Sequence, residues 1–153
     1  MQVLLLVAGG RAGSDLFHSL LDEHSQILQF PGMLEVNRDF LDLINLKNYH
    51  EIPVRFIKLY PLFFNSKLHL DKSKSTFTPS ILEKVERHNS LGKNRKKFYK
   101  VNTNVFIKNF LKLVRKKKIL RKFDIVKYLH YAYFLTRKKK LKIKKLYLFI
   151  PTY

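Results

Sequence analysis

Residues 3–24 constrain the fold more than any other part of the chain. Residues 3–8 form a short continuous apolar run, Val-Leu-Leu-Leu-Val-Ala, the pattern of a strand covered on both faces. Gly9, Gly10 and Gly13 follow at once, so three of the chain's five glycines are gathered in one turn. Leu16, Phe17, Leu20 and Leu21 then recur at i, i+1, i+4 and i+5, which predicts an apolar stripe on a helix. A strand that turns through glycines into a helix start aims free backbone N–H groups at one point. That point favours an anion, most commonly phosphate. Arg11 lies inside the turn and adds a forked, permanently charged donor.

Two familiar phosphate loops are excluded. The triphosphate loop needs Gly-x-x-x-x-Gly-Lys-Ser/Thr, and no lysine precedes Lys47. The glycine spacing also departs from the dinucleotide fingerprint, and no second βα unit follows closely. The run Gly10-Arg11-Ala12-Gly13-Ser14-Asp15 instead resembles the 5′-phosphosulfate loop of the sulfotransferase family. That loop reads strand, Pro/Gly-Arg/Lys-Ser/Ala-Gly-Thr/Ser-Thr, helix. The likeness continues through Leu20-Leu21-Asp22-Glu23-His24 and Ile27-Leu28-Gln29-Phe30-Pro31-Gly32, to about residue 35. Leu129-His130-Tyr131-Ala132-Tyr133 has a looser family look.

The resemblance implies a fold, a donor and a reaction. The fold is an α/β three-layer, P-loop-like domain with a short parallel sheet flanked by helices, and an incomplete one. Residues 1–153 form a single partial domain, with 93–145 as its strongly basic helical part. The donor is 3′-phosphoadenylyl sulfate, and a sulfuryl group passes to a hydroxyl or amine. The acceptor is a carbohydrate or another small hydroxyl compound. The donor-binding residues would be Gly10, Arg11, Ala12, Gly13, Ser14, Asp15 and Leu16. Their backbone N–H groups from Ala12 to Leu16, the Arg11 guanidinium and the Ser14 hydroxyl would hold the 5′-phosphate and bridging oxygen. Asp15 stands where the family has threonine or serine, and its carboxylate is expected to turn away from the ligand. The resemblance also makes Glu35 the general base, since it follows the second strand and its turn. The plainer role for Glu35 is a carboxylate at the start of the next helix, where the macrodipole rewards it.

No metal is required by this scheme. The six histidines show no His-x-x-x-His spacing, so a metal site is not expected. His130, between aromatics on a late helix, is expected to be structural. The family also needs a later motif for the donor's 3′-phosphate, often near Arg-Asp-Pro. The chain contains no Arg-Asp-Pro, so a C-terminally truncated member is expected. Two alternatives stand beside the enzyme: a non-catalytic remnant of the family, and a basic module binding nucleic acid or an anionic surface.

Charge divides the chain. Residues 1–92 carry ten basic and ten acidic side chains, whereas 93–153 carry twenty-one basic ones and a single acid, Asp124. The whole net charge of +20 therefore lies in the second part, a field that attracts polyanions. Abundant Lys, Asn, Ile, Phe and Tyr also suit the product of an AT-rich gene. Drift in composition with mild steering of an anionic donor is the favoured reading, and nucleic acid is disfavoured as the main partner. Lysine runs at 116–118 and 138–140 are expected to be solvated helix ends.

The remaining composition narrows the class. Hydrophobic residues make up 46% of the chain, enough for a core. There is no cysteine, which suits a reducing compartment. No basic leader precedes a long apolar run, and no apolar run reaches the length of a membrane span. A cytoplasmic, span-free protein is expected. Patterning places a parallel strand at 26–30 and a helix over 36–45 using Val36, Phe40, Leu43 and Ile44. Short helices interrupted by Pro53 and Pro61 fill 49–70. Thr78-Pro79 signals another helix start. Helices are predicted over 104–114 on Phe106, Phe110, Leu113 and Val114, and from Asp124 on Ile125, Val126, Leu129, Ala132 and Tyr133. A core strand is expected over 146–150.

Overall fold

A computed structural model of the protein describes residues 2–8, 20–21, 27–31, 34, 38–67, 98–115, 117, 120–137 and 145–151. Helices make up most of these residues. Three strands pair beside them, β1 (Gln2–Ala8), β2 (Ile27–Leu28) and β3 (Lys145–Pro151). The sheet is parallel, in the order β1-β3-β2. The last strand of the chain therefore sits between the first two. Ile27 and Gln2 both align with Lys145, and Ala8 aligns with Pro151. The strands expected over 3–8 and 146–150 are thus present, the one expected over 26–30 is shortened to two residues, and the fold combines α and β structure.

The helices follow the apolar spacing. α1 (Arg38–Ile44) buries Phe40 and Leu43, three residues apart on one face. Val36, expected on the same face, lies outside the described residues. α2 (Glu51–Leu59) buries Ile52, Pro53 and Phe56. Pro53 does not interrupt this helix, contrary to the expectation from the sequence. It occupies the third helical position, where the backbone N–H would have no partner within the helix anyway. A turn at Asn48 leads the helix in. Its carbonyl accepts from the Glu51 backbone N–H at 3.1 Å, its Oδ1 accepts from the His50 N–H at 3.1 Å, and its Nδ2 donates to Glu51 Oε1 at 2.7 Å. Pro61 opens α3 (Pro61–Phe64), a single turn that buries Phe63 and Phe64.

α4 (Thr103–Val114) and α5 (Lys122–Arg137) follow one another and pack together as a helix hairpin. Asn102 caps α4, its side-chain oxygen accepting from the Val105 N–H at 3.0 Å. Phe106, Phe110 and Val114, at four-residue spacing, are buried. α5 buries Ile125, Val126, Leu129, Ala132 and Tyr133, the residues its pattern predicts. Asp124 does cap this helix, from inside the first turn. Its carboxylate reaches back to accept from the Arg121 N–H at 3.2 Å, one half of a capping box. Between the helices Asn109 Nδ2 donates to Thr136 Oγ1 at 3.2 Å, and Thr136 in turn donates to the Ala132 carbonyl at 2.7 Å.

Aromatic rings hold the helical part together. The Phe56 ring lies 5.0 to 6.3 Å from those of Phe30, Tyr60, Phe63, Phe64 and Phe106. Each well-oriented pair adds about 1 kcal/mol beyond the apolar area it buries. Two hydroxyls fix backbone within the cluster: Tyr133 Oη donates to the Phe63 carbonyl, and Tyr99 Oη to the Leu62 carbonyl. Buried Ser66 ties the strand-like residues at 65 and 100 together. Its Oγ accepts from the Tyr99 N–H at 2.9 Å, and Asn65 bridges Lys100 in antiparallel fashion.

One expectation fails near the first helix. Leu20 is helical but 71% exposed, while Leu21 is half-buried. Leu16 and Phe17, the other residues of the expected stripe, lie outside the described residues. The segment at Thr78-Pro79 lies outside the described residues.

Candidate functional site

A parallel sheet presents one chemically useful end. Ligands of open α/β sheets bind outside the carboxyl ends of the strands, where connections diverge. Here that end is marked by Ala8 on β1, Leu28 on β2 and Pro151 on β3. Because Ala8 aligns with Pro151, the carboxyl ends of β1 and β3 stand side by side. The glycine-rich segment of the sequence starts one residue after Ala8. Gly10, Arg11, Ala12, Gly13, Ser14, Asp15 and Leu16 themselves lie outside the described residues, as does Glu35.

The side-chain chemistry around β2 is well defined. Past its carboxyl end the chain dives into the core: Leu28, Phe30, Pro31 and Leu34 are all buried. Phe30 is the anchor. Its ring stacks on Phe63 at 5.1 Å, meets Tyr133 edge-on at 5.1 Å, and touches the His130 imidazole at 4.0 Å between centroids.

His130 is the titratable group buried in this cluster, with 4% of its surface exposed. Its ring Nδ1 lies 2.8 Å from the Val126 carbonyl. A carbonyl only accepts, so Nδ1 carries the proton and donates. Burial lowers the His130 pKa to about 4, against the opposing pull of the Val126 carbonyl. The imidazole is therefore neutral near pH 7, and its packing against Phe30 makes it a structural ring, as its flanking aromatics suggest. On the same helix, burial raises the hydroxyl pKa values of Tyr128 and Tyr131. The Asp124 carboxylate adds to the effect on Tyr128.

Among the described residues no group of His, Asp and Glu side chains could hold a metal ion. Also among the described residues, no helix is long and apolar enough to cross a membrane. Comparison with protein-family models, with curated proteins and with solved structures found no match.

Sequence patterning missed one feature of this region, the Phe30 anchor. Gln26 to Phe30 reads as a strand, yet pairing stops at Leu28. Proline at 31 was the available signal, because it cannot extend a sheet's hydrogen bonding.

Proposed function

We propose that the chain is a sulfotransferase-like domain that binds 3′-phosphoadenylyl sulfate through residues 10–16 and passes its sulfuryl group to a hydroxyl or amine. The observation that carries the reading is topological. An apolar strand followed at once by Gly9-Gly10-Arg11-Ala12-Gly13 releases its glycines at the carboxyl end of an all-parallel sheet. A helix start after such glycines would offer unpaired N–H groups to a dianion.

Strand order supports a three-layer, P-loop-like arrangement as well. From β1 to β2 the chain moves two places across the sheet, and from β2 to β3 it moves one place back. Right-handed crossovers in opposite lateral directions deliver their connections to opposite faces.

In the mechanism, the loop amides and Arg11 bind the 5′-phosphate and neutralise charge building on the bridging oxygen as the sulfur–oxygen bond breaks. Their contribution is positioning and electrostatic stabilisation, the two effects that dominate in-line transfer through a loose transition state. Glu35 accepts the proton of the attacking hydroxyl or amine. The acceptor is a carbohydrate or a small hydroxyl compound, and the protein works in the cytoplasm without a metal.

Calorimetric titration with adenosine 3′,5′-bisphosphate tests the reading. Wild-type protein binds saturably with one site. Arg11→Ala loses a charge-assisted contact and weakens binding roughly 10- to 100-fold. Equal affinity in both proteins, or no binding in either, refutes the donor loop.

A further inference from the structure

Cations on α4 and α5 are gathered at the apex of the hairpin. Burial along α4 ends at Val114 and along α5 begins at Ile125. Lys112, Arg115, Lys117, Arg121 and Lys122 are all exposed there. Phe123 stands among them with 52% of its surface exposed. Backbone hydrogen bonds hold the described residues here. The Arg115 N–H donates to the Leu111 carbonyl at 3.0 Å, the Lys117 N–H to Val114 at 2.9 Å, and the Asp124 N–H to Arg121 at 2.9 Å. Leu120 packs against the core from this connection.

Helix-end solvation accounts for only half of this charge. Lys112 and Arg115 lie at the carboxyl end of α4, where the macrodipole favours cations. Arg121 and Lys122 lie at the amino end of α5, where it opposes them. Asp124, the single acid of residues 93–153, is turned to the Arg121 backbone N–H. Cations held against a helix dipole, around an aromatic ring left in water, suit a surface that supplies both negative charge and an apolar interior.

We propose that this apex docks on an anionic lipid bilayer, its cations on the headgroup phosphates and the Phe123 ring in the interface. Clusters of four to eight Lys/Arg are the electrostatic signature of such contacts, and an exposed aromatic supplies the apolar anchor. The placement of the cations along the chain decides between a bilayer and a nucleic acid. A phosphate chain needs cations laid along a track. Along α5 only Lys127 stands between Lys122 and Arg137, which leaves no such track.

Because the chain contains no tryptophan, Phe123→Trp places a single reporter at the apex of the otherwise unaltered protein. With vesicles of phosphatidylcholine containing phosphatidylserine, its emission shifts to the blue and is quenched by brominated acyl chains. Neutral phosphatidylcholine vesicles leave it unchanged. The triple variant Arg115→Glu/Arg121→Glu/Lys122→Glu weakens co-sedimentation with the anionic vesicles at least roughly a hundredfold. Phe123→Ala weakens it roughly tenfold. Far-ultraviolet circular dichroism verifies that both variants are folded, and the tryptophan readout stands without them. Absence of the blue shift, equal partition onto neutral vesicles, or binding unaffected by the charge reversal overturns the proposal. So does a tryptophan that responds to single-stranded RNA and not to vesicles.

Discussion

Acid should unfold this protein in part through one imidazole. His130 titrates at about 4 in the folded chain, chiefly because burial disfavours its charged form, against 6.5 when free. The unfolded state therefore binds the proton more readily between those values. Stability is complete above about pH 6.5 and falls as the pH drops from 6.5 towards 4, with no further loss from this group below that. At 1.36 kcal/mol per unit, the full difference is about 3 kcal/mol, of which about 2.5 kcal/mol is lost by pH 4.5. Urea unfolding of wild type and His130→Phe at a series of pH values isolates the effect. Carboxylates titrate in both proteins, so they cancel in the comparison. The variant keeps a ring against Phe30 and cannot charge, so the two stabilities converge by about 2.5 kcal/mol between pH 7.5 and pH 4.5. Parallel pH profiles would refute the burial of a neutral His130.

Three further outcomes are expected. Phe106 is fully buried between Phe56 and Phe64, so Phe106→Ala costs about 3–5 kcal/mol by urea denaturation, and a loss below 1 kcal/mol would contradict that packing. Asn102→Ala removes the acceptor for the Val105 N–H and lowers stability by about 1 kcal/mol, whereas Asn102→Asp keeps it; equal losses in both would rule out the cap. Glu35→Gln lowers kcat for sulfuryl transfer by roughly 10²–10⁴ while adenosine 3′,5′-bisphosphate binding is retained, and an unchanged kcat would remove Glu35 from the reaction.

Different parts of the molecule were legible in the sequence to different degrees, for physical reasons. The helices α4 and α5 were readable from their spacing, although Leu113 is only half-buried and α5 also buries Tyr128 and His130. Phe106, Phe110 and Val114 repeat at helical spacing, and Ile125, Val126, Leu129, Ala132 and Tyr133 trace one buried face. Local periodicity specifies such elements. Pro53 misled because proline's effect depends on its position along a helix, and nothing local announced that α2 begins at Glu51. Strand pairing was less accessible. That residues 145–151 lie between 2–8 and 27–28 is a long-range choice with no local signature. The exposed Phe123 was hidden for a similar reason, since composition shows a lysine-rich stretch but not that the ring is left exposed. The candidate loop was read from its glycines and its family likeness, and its seven residues lie outside the described part of the chain.

Backbone amide chemical shifts of isotope-labelled protein, followed during titration with adenosine 3′,5′-bisphosphate, address the loop most directly. The largest downfield movements should fall on the N–H groups of Ala12, Gly13, Ser14, Asp15 and Leu16, saturate together, and collapse in Arg11→Ala. Shifts confined to the basic apex around Arg115 and Lys122, with residues 12–16 unmoved, would show that the nucleotide answers to net charge alone and that these amides hold no phosphate.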